Sequence, residues 1–396
     1  MKLLQVLAFS FLFCFSSFSQ NPLTNDWWNS LDRNWQKCFL ASLKAEEDAK
    51  KATLLATQET QAEAPLVFDE EAPTETTEEE IRTFQEGDLE KIYKLEKLNC
   101  SGIDENGNTR LIKDLEPIKG LINLKEIDCS YTAIDNLDAL TDLPKLEKVN
   151  CSYTKIKTLR GLEKLKNLKE LIINGLKIDN LEEIQGLSNL ESLDLYETSL
   201  KNYEALATFP NLKRLALENT NLEDLTPLQN LSKLTELKIS NTKVKDLTPL
   251  AKIKSLRVLV AAETKITSIE ALRNLKNLEY LNINNTLVNS VEPLRHAKKL
   301  KIAYLSDTKI SDLSPLQKSK LLTEITFSNT QVGNLTPLSK LRRLKIIICT
   351  GTNVHSIAPI SKLPLLQVIY FRDTKVDKTE AQRFSQENPS IETDFF

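Results

Sequence analysis

Side chains with the types and spacing that catalysis requires are scarce in this chain. It contains two histidines, His296 and His355, and neither has a nucleophilic partner at a matching position. Carboxylate pairs such as Glu182 and Glu183 are adjacent in sequence, which is typical of a solvated surface and not of an acid–base pair. No glycine-rich phosphate-binding loop occurs. The sequence therefore predicts no enzyme, no catalytic residue and no cofactor.

The cysteines and the oxygen ligands predict no metal site either. Apart from Cys14, the chain contains Cys38, Cys100, Cys129, Cys151 and Cys349. No two of them have the Cys-x-x-Cys spacing of zinc sites. The last four occupy a position that is apolar in other repeats, so we interpret them as core residues, with disulfide or metal roles as alternatives. Residues 104–108 carry calcium-ligand types, but their spacing does not match an EF-hand.

The nearly balanced charge of the chain helps to predict which class of partner it binds. Charged residues make up 27% of the 396-residue chain, and the formal net charge is −3. Proteins that bind nucleic acid usually carry a basic excess, so the composition argues against nucleic acid as the partner.

The dominant feature is an internal repeat in which position i matches position i+22. Eleven of twelve positions at this spacing are threonine, and we call this set the Thr column. Its positions are Thr132, Thr154, Leu176, Thr198, Thr220, Thr242, Thr264, Thr286, Thr308, Thr330, Thr352 and Thr374. Each unit follows the pattern Leu-x-x-Leu-x-Leu-x-x-Thr-x-Ile-x-x-Leu-x-Pro-Leu-x-x-Leu. The alternating apolar residues predict one short strand per repeat, and units that cannot bury their apolar side alone must stack.

This repeat resembles the leucine-rich-repeat family. The repeat length and the segments Asp224–Leu228 and Asp246–Leu250 resemble internalin-type repeats, and a phosphatase-1 regulatory subunit has repeats of the same length. The resemblance implies an α/β solenoid, shaped as a horseshoe or arc, with a parallel concave sheet and short 3₁₀ or helical turns on the convex side. The Thr column takes the place of the family's usual Asn ladder, which Leu176 interrupts once.

The composition along the chain predicts five segments. They are a signal peptide at 1–20, a Trp-containing helical segment at 21–62, an acidic linker at 63–88, a solenoid of about 13 repeats at 89–376 and a C-terminal cap at 377–396. The apolar run at 3–15 is too short to span a membrane. We therefore expect export without a transmembrane segment, to the medium or the cell envelope. Lipoprotein anchoring through Cys14 is a less favoured alternative, because Phe13 precedes it.

Both ends of a solenoid need caps. Trp27, Leu31 and Trp35 are four residues apart, which predicts one helical face lying over the first repeats. The alternatives are an aromatic anchor for a partner or a sugar, or a helix tethered by the acidic linker and not docked. At the other end, residues 379–386 predict a helix and residues 391–396 predict a final strand.

The concave face changes character along the array. Residues six, four and two before the Thr column point towards it, and they are charged or polar in early repeats but apolar and aromatic in late ones. The predicted ligand-binding residues are Val258, Val260, Tyr280, Asn282, Ile302, Tyr304, Ile346, Ile348, Tyr370 and Arg372. Exposed apolar clusters and tyrosines are typical of contact surfaces, although good strand formers would give the same pattern.

We therefore predict an exported, monomeric binding or adhesion protein that recognises a protein, or another macromolecule, on its concave face. One alternative is a regulatory subunit of an enzyme such as a phosphatase. Another is a structural spacer of the cell envelope, in which the apolar positions have no binding role.

Overall fold

Fourteen short parallel strands form one open sheet, in which each strand pairs with the next along the chain. The structure, a computed structural model, describes residues 23–59, 83–102 and 111–395. The strands β1 to β14 are Lys97–Asn99, Glu126–Asp128, Lys148–Asn150, Glu170–Ile172, Ser192–Asp194, Arg214–Ala216, Glu236–Lys238, Val258–Val260, Tyr280–Asn282, Ile302–Tyr304, Glu324–Thr326, Ile346–Ile348, Val368–Tyr370 and Glu392–Asp394. This is the predicted solenoid, and it confirms the fold class.

The side opposite the sheet consists of 3₁₀ turns, as predicted. They are Glu116–Ile118, Asp138–Leu140, Glu182–Ile184, Glu204–Thr208, Thr226–Leu228, Thr248–Lys252, Glu270–Leu272, Glu292–His296, Ser314–Lys318, Thr336–Leu338 and Ala358–Ile360. Proline stands near the start of many of them. Proline cannot donate a backbone hydrogen bond, so it prevents a second strand on this side.

The strand register follows directly from the repeat length. Each residue of a strand faces its counterpart in the next repeat, as in Glu236 opposite Val258. The middle residue of each strand from β1 to β13, such as Leu237 or Leu259, is buried between the sheet and the turns. These side chains belong to one hydrophobic core that runs the length of the array. Each repeat thus buries its apolar side chains against its neighbours, at about 1.5–3 kcal/mol for each fully buried Leu, Ile or Val.

The Thr column stabilises each repeat from within. Every threonine of the column donates its hydroxyl to the carbonyl three residues earlier, at 2.6–2.9 Å. The backbone also bonds from repeat to repeat, as in Tyr131 N to Ser152 O at 2.8 Å. The threonine hydroxyl bonds are local to each repeat, so the Thr column does not itself form a ladder from repeat to repeat. At Leu176 the same carbonyl, of Ile173, accepts a longer bond of 3.4 Å from Leu176 N.

The cysteines of the repeats are core residues, as we interpreted them. Cys100, Cys129, Cys151 and Cys349 have no exposed surface. Burial raises the pKa of the Cys151 thiol to about 12. These groups therefore behave as small apolar side chains that fill the same position as Leu or Ile elsewhere.

The N-terminal helices pack on the first repeat. They are α1 (Asn25–Ser30), α2 (Arg33–Glu59) and α3 (Asp88–Tyr93). The Trp28 ring stacks on Phe84, with ring centroids 4.2 Å apart. The Ser42 hydroxyl of α2 accepts a hydrogen bond from Asn99 N of β1 at 3.3 Å. Strand β1 would otherwise expose an unpaired edge, so α2 acts as a docked cap and not as a tethered helix.

The expected single helical face over Trp27, Leu31 and Trp35 is wrong in one respect. Helix α1 ends at Ser30, and the Asp32 carboxylate accepts hydrogen bonds from Asn34 N at 2.8 Å and Trp35 N at 3.0 Å. Asp32 therefore caps the start of α2, as Asp does at many helix N-termini. Both tryptophans still pack against the core.

The C-terminal end is closed by α4 (Lys378–Glu387) and by β14. The Glu380 carboxylate of α4 accepts hydrogen bonds from Ser356 Oγ at 2.8 Å and from Ile357 N at 2.9 Å. Phe371 stacks on Phe395 with ring centroids 5.4 Å apart. This arrangement covers the last repeat, where the sequence predicts a cap.

Several sequence predictions lie outside the described residues. These are the signal peptide at 1–20 with Cys14, most of the acidic linker and the loop at 104–108. Within the described part of the chain, no helix combines the length and the apolar character needed to cross a membrane. The segment boundaries stay predictions.

Candidate ligand-binding surface on the sheet

The outward side chains of β8 to β13 form two columns that run across the strands. One column contains Val258, Tyr280, Ile302, Glu324, Ile346 and Val368, which face each other in register. The other contains Val260, Asn282, Tyr304, Thr326, Ile348 and Tyr370. All twelve side chains are half-buried, whereas the residue between them in each strand is buried in the core. We call these two columns the concave patch.

The ten predicted ligand-binding residues lie on this side of the sheet. Nine are half-buried members of the concave patch, and Arg372, two residues beyond β13, is exposed. The structure thus brings them together on one surface, and their role in binding stays a prediction.

Two tyrosines form the aromatic centre of the concave patch. The rings of Tyr280 and Tyr304 meet edge to face, with centroids 5.5 Å apart. The Tyr304 hydroxyl donates to Glu324 Oε1 at 2.7 Å. Burial and the neighbouring Glu324 carboxylate raise the pKa of Tyr304. The Tyr304 ring is therefore held by this hydrogen bond and by the edge contact with Tyr280, which lowers the side-chain entropy that a bound partner would have to remove.

The concave patch is less uniform than the sequence suggested. Glu324 and Thr326 on β11 separate the tyrosine pair from Ile346 and Ile348. At its end, Arg372 donates to the Asp394 carboxylate at 2.7 Å, and the Tyr370 hydroxyl donates to Glu392. Tyr370 and Arg372 therefore help to fix the last strand.

The earlier half of the sheet is polar and internally paired. The Ser130 hydroxyl donates to Asp128 Oδ1 at 2.6 Å, and the Asn150 amide donates to Asp128 Oδ2 at 2.9 Å. Lys148 and Glu170 form an ion pair at 2.7 Å. Because these groups already satisfy one another, a ligand would have to displace existing hydrogen bonds, which favours the apolar half as the contact surface.

A second tyrosine pair lies at the edge where the strands end, and our sequence reasoning missed it. Tyr131 and Tyr153 stack with centroids 4.9 Å apart, and 51% of Tyr131 is exposed. Both have a positive φ, of 57° and 54° respectively, in a region that aromatic residues rarely adopt. Gly175 in the next repeat lies under the Tyr153 ring, where a Cβ would come within 2.5 Å of it.

A signal for this pair was present in the sequence. The residue before the Thr column is Asn, Asp, Glu or Gly in the other described repeats with positive φ at this position. Tyrosine replaces these residues in two consecutive repeats, at Tyr131 and Tyr153. The Tyr153 hydroxyl donates to Glu197 at 3.3 Å, and burial, followed by this carboxylate, raises the pKa of Tyr153 to about 12.

The arrangement offers binding contacts and no assembled reactive groups. His296 and His355 are exposed and lie in different repeats, away from the concave patch. Among the described residues, no three His, Cys, Asp or Glu side chains are grouped so that they could hold a metal ion. What the concave patch can do chemically is exclude water over apolar and aromatic surface.

Comparisons with known proteins agree with this architecture. The sequence profile described as "Leucine Rich repeats (2 copies)" matches residues 122–164, 210–252 and 254–296. A search of curated protein sequences finds no match. The crystal structure of an internalin from Listeria monocytogenes is 22% identical, with a TM-score of 0.71, and the match covers 77% of this chain and 88% of that one.

Two structures with bound ligands have the same fold. A plant peptide hormone receptor in complex with RGF2 is 18% identical, with a TM-score of 0.54 over 66% of this chain and 50% of that one. The structure of a TLR13–ssRNA13 complex is 18% identical, with a TM-score of 0.56 over 78% and 55%. The profile matches, the constant strand register and the single parallel sheet together show a leucine-rich-repeat fold, consistent with repeats of the internalin-like type.

Proposed function

We propose that this protein is an exported binding or adhesion module that holds a protein ligand on the concave patch. The observation that carries the proposal is the pair of in-register columns on β8 to β13, in which half-buried aliphatic and aromatic side chains lie side by side on the outer surface of the sheet, whereas the earlier strands are polar there. Monomeric soluble proteins seldom expose a contiguous apolar surface without a partner. The plant peptide hormone receptor of the same fold, in complex with RGF2, supports a polypeptide ligand.

The composition of the concave patch favours a protein ligand over a small molecule. Val258, Val260, Ile346 and Ile348 are β-branched and lose little side-chain entropy on binding. Tyrosine supplies large contact area and is a preferred anchor at protein interfaces. The columns extend over six strands at about 4.8 Å per strand, roughly 24 Å in all, which is the scale of a protein interface.

Export is the second half of the proposal. It is supported by the apolar run at 3–15, which follows Lys2 and precedes the small residues Ser16, Ser17 and Ser19. Such a segment is typical of a cleaved secretory signal. Determination of the N-terminal residue of the mature protein tests it. We expect the mature protein to start near residue 21. An intact Met1, after expression in a host that secretes proteins, would contradict export.

Capture with matched variants tests the concave patch. The double variant Tyr280→Ala, Tyr304→Ala removes the aromatic centre of the concave patch. The matched control Tyr131→Ala, Tyr153→Ala also removes two tyrosine side chains, but at the edge where the early strands end. Each variant is used to capture partners from surface extracts, and the captured protein is then purified and titrated against all three forms. We expect the first variant to lose at least about tenfold in affinity, since interface anchors are worth about 2 kcal/mol or more.

The control decides between the alternatives. If the partner binds the Tyr280, Tyr304 variant as tightly as the wild type, the apolar columns reflect strand propensity and the proposal fails. If affinity falls only in the Tyr131, Tyr153 variant, the ligand is bound at the edge of the strands and not on the concave patch.

A further inference from the structure

The net charge of −3 conceals a strong separation of charge along the array. Between residues 295 and 365 the sequence contains twelve Lys or Arg and three Asp or Glu. The excess is concentrated in four-residue stretches that precede each strand and begin at the last residue of a 3₁₀ turn or two residues after it. In the six repeats from Thr242 to Thr352, eleven of the 24 positions in these stretches are Lys or Arg and none is acidic.

We call these positions the basic edge. They are residues 252–255, 274–277, 296–299, 318–321, 340–343 and 362–365. The equivalent positions in the six preceding repeats, from residue 120 to residue 233, contain four lysines and one aspartate. Repeat architecture does not require the basic residues, because the earlier repeats fold in the same way without them.

Within the described residues, the cations of the basic edge have no acidic partners. Lys298, Lys299, Lys320, Arg342 and Arg343 are exposed, and none of the ion pairs in the described part of the chain includes a cation of this edge. Lys299 donates to the Asn277 side chain at 2.9 Å and Lys320 to the Lys340 carbonyl at 3.3 Å.

The adjacent column is different. Lys301, two residues after Lys299, forms an ion pair with Glu279 at 2.7 Å, and Arg257 binds the same carboxylate at 2.7 Å. In the part of the chain that the structure describes, basic side chains beside the strands are thus paired with acids, whereas those of the basic edge are not.

The spacing of the charges suits a linear polyanion. Successive repeats are about 4.8 Å apart at the sheet, so cations recur along the array at intervals shorter than the Debye length of about 8 Å at physiological salt. Their fields add, and the edge presents a continuous positive stripe over roughly 24 Å. A chain with regularly repeated negative groups can follow this stripe.

We propose that the basic edge binds an anionic polysaccharide, one whose sulfate or carboxylate groups repeat along the chain. The basic edge contains no Phe, Tyr or Trp, so it lacks the usual stacking platform for the bases of single-stranded nucleic acid. Its exposed turns provide no helix or paired strand to enter a duplex groove. Its one large, clearly exposed apolar side chain is Leu365, which is too little apolar surface for insertion into a lipid bilayer. The contacts that the basic edge can offer are therefore ionic contacts and hydrogen bonds, which are the contacts that an anionic polysaccharide can make.

This surface is distinct from the concave patch, so its function is independent of the proposed protein ligand. It also explains how a protein of slightly negative net charge can bind a polyanion, which the composition alone argues against.

Binding of a heparin dodecasaccharide to the purified protein tests the inference. The variant combines Lys320→Gln, Lys340→Gln, Arg342→Gln and Arg343→Gln. The matched control combines Lys155→Gln, Lys157→Gln, Lys164→Gln and Lys177→Gln, which changes the net charge equally in exposed positions of the early repeats. We expect the wild type and the control to bind alike, with affinity falling as salt rises, and the basic-edge variant to bind at least about fourfold more weakly.

Three results would overturn the inference. Equal loss in both variants would assign the effect to net charge alone. Tighter binding to a DNA duplex or single strand of equal charge than to heparin would identify the edge as a nucleic-acid surface. Binding to vesicles of equal parts phosphatidylcholine and phosphatidylserine, without binding to heparin, would identify a membrane surface. Circular dichroism of the exposed-site variants confirms that the fold is retained.

Discussion

Replacement of Glu279 by glutamine should weaken the array in a pH-dependent way. The Glu279 carboxylate lies between Arg257 and Lys301, each at 2.7 Å, and so connects three consecutive repeats. Only 18% of the Glu279 side chain is exposed, whereas its two partners are 56% and 53% exposed. The hydrogen bond from Arg257, followed by that from Lys301, lowers the pKa of Glu279 from 4.5 to about 2.

The magnitude depends on how strongly solvent screens this cluster. A fall in pKa of that size corresponds to about 3.4 kcal/mol for fully shielded charges. Because the two cations are half exposed, the appropriate scale is that of two surface ion pairs, at about 0.2–1 kcal/mol each. We therefore expect Glu279→Gln to lower the free energy of unfolding by about 1 kcal/mol at pH 7.

The sign of the pH dependence follows from the lowered pKa. The carboxylate is charged in the folded protein down to about pH 2, while in the unfolded chain it takes up a proton near pH 4.5. The stabilisation is complete above pH 4.5 and is lost as the pH falls from 4.5 to 2. The difference between wild type and variant should shrink over this window.

Urea unfolding of both proteins, followed by circular dichroism from pH 7 to pH 2, measures that difference. Glu263→Gln serves as the control, because Glu263 is exposed and forms no ion pair within the described part of the chain. A difference near zero at pH 7, or one that stays constant down to pH 2, would refute the reasoning. An equal effect in the Glu263 variant would also refute it.

Three further predictions concern the interior of the repeats. Thr242→Val removes the buried hydroxyl that donates to the Ile239 carbonyl at 2.7 Å, and should cost about 1 kcal/mol or more in urea unfolding; an unchanged midpoint would contradict a structural role for the Thr column. Gly175→Ala should destabilise by more than about 1 kcal/mol, because φ is +69° and the new Cβ would clash with the Tyr153 ring, and adding Tyr153→Ala should recover part of this loss; no recovery would exclude the clash. Thiol labelling at pH 8 should be slow in folded protein and fast in urea, because burial raises the pKa of the Cys151 thiol to about 12; fast labelling without urea would contradict the packing.

The fold was predictable because the same pattern of apolar residues and threonine recurs in every repeat. A single strand of three residues is a weak signal, but the Thr column fixes the register of every strand between 132 and 374. The break between α1 and α2 was less predictable, since the apolar spacing of Trp27 and Trp35 suits one helix as well as two. Asp32 caps the start of the second helix, and this local hydrogen bonding favours two helices over the single helix that the apolar spacing predicts.

The candidate surface was predictable in position but not in detail. Period-two alternation places Tyr280 and Tyr304 on the outward side of the strands, yet it does not show that Glu324 interrupts the apolar columns or accepts the Tyr304 hydroxyl. The edge pair at Tyr131 and Tyr153 depends on backbone φ, which no hydrophobic pattern encodes. The basic edge was hidden because the total charge averages an acidic and a basic part of the chain.

Hydroxyl-radical footprinting of the protein with its captured partner tests the central claim most directly, because it reports the accessibility of individual tyrosine side chains. The account predicts that oxidation of Tyr280 and Tyr304 falls when the partner is bound, while oxidation of Tyr131 and Tyr153 stays at the level of the free protein. Protection of Tyr131 and Tyr153 with unchanged oxidation of Tyr280 and Tyr304 would contradict the assignment of the concave patch as the binding surface.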